Sequence, residues 1–511
     1  MSDSLQPPES RDPDPVPMTE APERPDSGDR PRVGVDEWVA RVEERRERGE
    51  GLVAWARIAW DRLPPVGQIA LFIIPAAVFP LLTNDPNLFR YGIVTLVYAL
   101  SALGLNIVVG YAGLLDLGYV AFLGFGAYFY GLLASQHSGR HWQAELAIPV
   151  VVLGTALLGL VIGLPSRRLV GDYLAIVTLF FLQAFAVFVN NANRINFPYI
   201  GHVDLTGGPN GLDQIDPLNL FGFKIASNTG EFYFALISFS ILLGALYLLS
   251  DSRTGRALRA LREDPLAAEA MSIPVNRLKL LAFALGAGVA GFTGCLWGTV
   301  YTGAFPTDFD VPLLITVYAV LLLGGAGSLK GVIFGAVVIN VVPELLRDAN
   351  NARWIFYGVM VLGLLLAMKP LRRALSVLGA LVVFGFALHP IADAVWPRMT
   401  ARHVEGSSSV LGRALSWFLN HWMLLPSHAT KMGDFAFVIA IALGVALLEL
   451  SRRWRTIALV PTLYIAAFAW ENRLIDETAG ATRLLLLGAL LVVLMNARPQ
   501  GLFGTARVEI V

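Results

Sequence analysis

Cysteine is nearly missing: Cys295 is the single one in 511 residues. An internal disulfide and a thiolate metal cluster are both excluded. Charge is scarce too. Asp, Glu, Lys and Arg make up 15% of the chain, and 39 basic residues balance 39 acidic ones. A chain without net charge has no global attraction for nucleic acid. A phosphate-cradling loop is also absent. Gly324 to Gly331, GGAGSLKG, lacks the Gly-Lys-Ser/Thr ending that would hold phosphate and magnesium. ATP hydrolysis by this polypeptide is therefore not expected. No cleavable signal sequence is expected, because the first apolar run begins only near Val66. His389, His403, His421 and His428 show no metal-ligand spacing. No nucleophile–base or carboxylate pair points to an enzyme, and no cofactor or metal is expected.

What the chain has in abundance is apolar sequence. Hydrophobic residues make up 55% of it, and the mean hydropathy is +0.60. Runs long enough to cross a bilayer recur. The expected spans are about 66–82, 90–110, 116–135, 146–164, 171–190, 232–250, 278–299, 311–327, 331–347, 353–369, 374–396, 433–450, 456–470 and 482–497. The expectation is an all-α polytopic protein of the lipid bilayer. Arg45, Arg46 and Arg48 precede the first span, and Arg167 and Arg168 follow the fourth. Further basic clusters are Arg253 to Lys279, Lys369 with Arg372 and Arg373, and Arg452 with Arg453 and Arg455. Alternating the spans puts every cluster on one side. Cytoplasmic loops carry the excess of Lys and Arg, so both termini are expected in the cytoplasm. Asn191 to Glu231, Tyr301 to Asp310 and Met399 to Gly433 fall on the opposite, external side. Met1 to Arg32 is too polar to fold, and Val35 to Arg62 reads as an amphipathic, interfacial segment or a solvated tail.

One charged stretch interrupts the apolar pattern, Asp251 to Leu278. It opens with Arg253, Arg256, Arg259 and Arg262, and a short helix is predicted after them. Asp264 suits the N-cap and Pro265 the first helical position. Pro274 should end the helix near Ile273. Leu266, Ala267, Ala270 and Met271 share a small apolar face. The stretch is either an ordinary charged loop or a helix that docks into a groove on a cytoplasmic motor. On the second reading the coupling residues are Arg259, Glu263, Asp264, Pro265, Ala267, Ala268, Glu269 and Met271.

A second interruption carries Asn106, Gly110, Tyr111, Gly113, Asp116, Gly118 and Tyr119. It is either a tight turn or a broken backbone lining a cavity. An ionisable group at membrane depth is a functional candidate, so Asn106, Tyr111, Asp116 and Tyr119 are candidates for a translocation path. Asp116 also suits a helix cap. Gly286, Gly288, Gly291, Gly294 and Gly298 share one span, and Gly159/Gly163 and Gly331/Gly335 are spaced by four. These are expected to be packing positions, where small residues let helices approach in lipid.

GLNIVVGYAGLLDLGYVAFLGFGAY, GDYLAIVTL, LTGGPNGL, RTGRALRALREDPLAAEAMSIPVNRLKLLAFALGA, LLGGAGSLKGVIFGA and the closing ARPQGLFG come in that order. Together they resemble the LivM-type permeases of branched-chain amino acid ABC importers, over about residues 90–370 and 480–505. The resemblance implies a bacterial inner-membrane subunit. Its partners would be a LivH-type permease, two cytoplasmic ATPases and a periplasmic substrate-binding protein. The domains expected are a cytoplasmic tail (1–62), a permease core (63–370), an extra membrane insert (371–480) and a last span with the C-terminus (481–511). The insert departs from the family pattern and is expected to be peripheral to transport. A urea or short-chain amide importer shares this architecture. A secondary transporter would need no docking helix, and a membrane enzyme would need a polar catalytic cluster.

Overall fold

The computed structural model describes residues 65–82, 86–167, 171–193, 195–197, 201–345, 349–368, 371–404, 410–449, 451–474, 488 and 501–503. The amphipathic segment expected at 35–62 and nearly all of the span expected at 482–497 lie outside them. The chain divides into units Met1–Ala70 and Leu71–Val511, and only the first turns of α1 are described in the former.

The helices follow the apolar runs. They are α1 (Pro65–Leu82), α2 (Pro86–Leu105), α3 (Tyr119–Leu133), α4 (Ala144–Ser166), α5 (Asp172–Asn191) and α6 (Asn228–Asp251). Next come α7 (Arg253–Glu263), α8 (Pro265–Ala270), α9 (Val275–Val300), α10 (Val311–Gly324), α11 (Leu329–Leu345) and α12 (Ala349–Ala367). The last are α13 (Leu371–Val395), α14 (Val410–Trp422), α15 (Ala429–Glu449) and α16 (Arg452–Ala469). Among the described residues seven helices are long and apolar enough to cross a membrane. The protein is an all-α polytopic membrane protein, and its strands are short pairs in the connections.

Helix α9 is the axis, packed by α2, α3 and α4. Its glycines act as the sequence predicts. A Cβ on Gly294 would run into the Leu123 carbonyl of α3, and one on Gly126 of α3 would lie 2.5 Å from the Gly291 carbonyl. Gly331 of α11 meets the backbone of Gly324 in the same way. Backbone contact of this kind supplies dispersion where lipid offers no hydrophobic drive.

Contacts at the two ends of the helices agree with the predicted alternation. At one end Tyr111, Leu114, Leu174, Leu258, Leu261, Leu278 and Phe283 form a single buried cluster. At that end Leu502 N and Phe503 N also donate to the carbonyls of Leu323 and Gly324, each at 3.0 Å. At the other end Leu212–Asp213 pairs with Gly303–Ala304, and the Arg90 guanidinium lies 5.7 Å over the Tyr301 ring.

Two differences from the sequence reading stand out. The arginine run 253–262 is itself a helix, since Gly255, Leu258 and Leu261 fall on one buried face. The loop expected over 399–433 contains amphipathic α14, whose Leu419 and Trp422 are buried. They join Leu381, Tyr464 and Phe468 in a separate hydrophobic cluster, against which Phe356, Tyr357 and Met360 of α12 also pack.

Candidate functional site

The site begins with a cap. Ser252 Oγ accepts from Gly255 N at 3.1 Å and starts α7 immediately after α6 ends. Arg256 and Arg259 then donate to the Asp251 and Ser250 carbonyls, at 2.7 and 2.5 Å. Cations at a helix C-terminus satisfy its last acceptors and suit its dipole. Two of the four arginines are thus committed to holding the elbow between α6 and α7.

The fourth, Arg262, reaches inward, one turn past buried Leu258. Its Nη1 donates to the Gly110 carbonyl at 2.5 Å and to the Ala326 carbonyl at 3.4 Å. Glycines make room for it. A Cβ on Gly113 would lie 2.8 Å from Arg262 Cγ, and one on Gly327 would lie 2.6 Å from Nη1. Both glycines have positive φ, +69° and +88°. Gly327 N also donates to Asn106 Oδ1 at 2.7 Å. Three segments far apart in the chain therefore meet at one guanidinium.

Asp264 and Pro265 behave as predicted. Asp264 Oδ1 accepts from Leu266 N at 2.8 Å and Ala267 N at 3.1 Å, and α8 begins at Pro265. The helix ends at Ala270, before Ser272 at φ +61°, somewhat earlier than Ile273. Leu266 and Met271 are 79% and 77% exposed. Arg259, Glu263, Pro265, Ala267 and Glu269 are exposed as well. Ala268 is different: it is buried in its own chain and seats the helix.

The second interruption is a broken backbone. After α2 the chain makes a π-turn, Asn106–Tyr111, and runs irregularly to Tyr119. Single π-turns inside apolar helices concentrate at functional sites. Asp116 lies in the irregular segment, outside both flanking helices. Its Oδ1 accepts from Gly118 N at 2.9 Å, so it does serve the start of α3. Its carbonyl accepts from Tyr318 OH at 2.7 Å, and Leu117 N donates to Thr178 Oγ1 at 2.9 Å. Burial pushes the Asp116 carboxyl up to about 7, and the Gly118 N–H opposes that rise. Asn106 Nδ2, Tyr111 OH, Asp116 Oδ2 and Tyr119 OH are buried without a hydrogen-bond partner among the described residues. Buried polar atoms are nearly always paired, so such a group along one break is a functional signal.

The structure joins Asn106 to the end of α7 through Gly327 and Arg262, and buries Tyr111 in one cluster with Leu258. It does not bring Asp116 into that junction. A cavity of about 850 Å³ lies elsewhere, lined from α1, α2, α6 and α11. Phe79, Tyr91, Phe232 and Phe239 line it, and none of the expected path residues does. Sequence reasoning missed Arg262, Gly327, Thr178 and Tyr318. For Arg262 the signal was present, since 258 and 262 are one helical turn apart.

Residues 87–368 match the family model described as branched-chain amino acid transport system / permease component. The chain is 32% identical over 328 residues to the high-affinity branched-chain amino acid transport system permease protein LivM of Salmonella typhimurium, covering 60% of this chain and 72% of that protein. It is 32% identical over 302 residues to LivM of Escherichia coli, covering 55% and 67%. A probable LivH permease protein of Methanocaldococcus jannaschii is 29% identical over 176 residues, covering 31% and 54%. No solved structure matches the chain.

Proposed function

The chain belongs to the branched-chain amino acid transport permease family, and from that premise we propose that it is one permease subunit of an ATP-driven importer of branched-chain amino acids. Its partners in this reading are a LivH-type permease, two cytoplasmic ATPase subunits and a periplasmic binding protein. The chain sits in the bacterial inner membrane with α7, α8 and both termini on the cytoplasmic side. It is not an enzyme; ATP is hydrolysed on the separate subunits.

One observation carries the mechanism. Helix α8 turns Leu266 and Met271 outward, while Arg262, just before it, holds the carbonyl of Gly110 and the glycine loop at 326–327. A motor that grips α8 therefore pulls on the broken end of α2 and on the turn between α10 and α11. The path residues Asn106, Tyr111, Asp116 and Tyr119 lie along or beside that break and shift with it. Coupling requires the motor to bind α8 differently in its two states, since equal binding shifts nothing. Substrate is delivered at the external loops.

The test separates docking from folding. Leu266→Asp with Met271→Asp changes only exposed positions, so the subunit should insert normally, lose the ATPases during purification in mild detergent and lose ATP-driven uptake. Ala267→Trp should act in the same direction. Ala268→Pro should abolish both as well, because proline in a helix interior costs about 3 kcal/mol. Wild-type ATPase retention and uptake in the Leu266/Met271 variant would remove α8 as the coupling element.

A further inference from the structure

Between Leu218 and Ile225 the chain folds into a small hairpin, Leu218–Leu220 paired with Phe223–Ile225. Its turn is Phe221-Gly222, with φ of +50° and +84°. A two-residue turn with both φ positive favours Asn-Gly or Gly-Gly. A bulky aromatic residue at positive φ is a true outlier, and such strain is kept where the side chain has work to do. That work is not internal. Phe221 is 80% exposed and Phe223 77%, whereas Leu218 at the base is buried.

The position of the tip says what covers it. Phe221 N donates to Glu145 Oε2 at 3.3 Å, so the tip is tied to the first turn of α4. From there α4 carries an exposed apolar stripe, Leu146, Val150, Leu153 and Leu157, whose chemistry in a membrane-spanning helix suits hydrocarbon. Trp142, 46% exposed, precedes the same helix end. Exposed Lys224 follows Phe223, and exposed Arg140 lies two residues before Trp142. Aromatic rings with adjacent cations, at the end of a lipid-facing stripe, are the composition of the membrane–water interface.

We infer that the 218–225 hairpin is an interfacial anchor, whose Phe221 and Phe223, with Trp142, insert among lipid headgroups where α4 leaves the bilayer. It pins the loop from 201 to 227 to the membrane surface, so that this loop is held still as the helices below it move.

The inference is tested on the full chain carrying Cys295→Ser with Phe221→Cys or Phe223→Cys, and Asp213→Cys as the control in the same loop. Each is labelled with an environment-sensitive fluorophore and reconstituted in phosphatidylethanolamine/phosphatidylglycerol vesicles. At 221 and 223 headgroup-depth nitroxide lipids should quench at least two-fold more strongly than at 213, and iodide should quench correspondingly less. Equal iodide access at all three positions would overturn the anchor. Shielding that arises only when the periplasmic binding protein is added would also overturn it, and would make the hairpin a protein-docking surface.

Discussion

Among the described residues two helices end in a π-turn, and the turns are opposites. At Asn106–Tyr111 the polar groups are left short of partners: Asn106 Nδ2 and Tyr111 OH, then Asp116 Oδ2 and Tyr119 OH beyond them. At Trp470–Leu474, after α16, the carboxylate and amide side chains are all paired. Buried Glu471 accepts from Arg353 Nε at 2.9 Å and from Tyr357 OH at 3.2 Å. Its carbonyl and Asn472 Oδ1 both accept from Arg402 Nη2 at 3.1 Å. Asn472 Nδ2 donates to Leu424 O at 3.1 Å and Phe468 O at 3.0 Å, while the Trp470 ring stacks on Phe356 at 4.6 Å. The atom left over is Trp470 Nε1. A satisfied network is rigid, and an unsatisfied one has somewhere to go. The second turn is a joint between α12 and the 371–480 segment; the first is the part suited to move.

The contrast breaks most visibly at Glu471. Glu471→Ala leaves the largely buried Arg353, 12% exposed, without its carboxylate, a loss approaching about 3 kcal/mol, and the thermal unfolding midpoint in detergent should drop accordingly. Arg353→Met combined with Glu471→Leu should recover most of it. An unchanged midpoint in the single variant would show that the joint carries no load. By the same reasoning, removing residues 371–483 should destabilise α12, although the sequence alone suggests a separable insert.

Arg262→Ala sharpens the other side. It removes bonds from a charged donor worth roughly 1.5–3 kcal/mol. If that energy sets coupling, uptake should fall by about ten- to a hundred-fold, with the ATPases still bound through α8. Loss of the ATPases along with uptake would instead make Arg262 a support for the docking face.

A smaller effect is expected from pH. Asp116 is shifted by burial from 3.8 to about 7. The folded state holds this proton more tightly than the unfolded chain. Its contribution to stability is therefore complete below about pH 4 and is lost as pH rises through 7. The unfolding midpoint of the wild type should fall over that range, and Asp116→Asn should flatten the fall. Equal slopes in both would show that Asp116 titrates normally. Smallest of all, Glu263→Ala should change stability and uptake little, because Glu263 is exposed and exposed substitutions usually stay within about 0.5 kcal/mol.

Much of this was legible in the chain because its causes are local. Hydropathy and length give the seven described helices able to cross a membrane, and the Asp264-Pro265 pair gives the start of α8. The glycine positions give the close crossings of α9. What escaped depends on distance. Arg353 and Glu471 are 118 positions apart, and no local pattern pairs them. Arg262 looked like one more arginine in a basic run until its helix turned it inward. Tyr318 and Thr178 reach the 116–117 backbone from α10 and α5, and single-residue signals do not reveal such contacts. The exposed face of α8 is legible in the sequence, whereas the inward seat of Ala268 is not.

The bonds from Leu502 and Phe503 to Leu323 and Gly324 have a consequence for biogenesis. Ribosomes add about 5–20 residues per second. The carbonyls at the end of α10 therefore emerge roughly ten to forty seconds before the amides that will cover them. Throughout that interval α11 to α16 must be made and inserted, and the joint at Glu471 can close. Completion of the end beside Arg262 thus waits until α11 to α16 have been made. A nascent chain cut off before residue 502 would leave those two carbonyls without these amides.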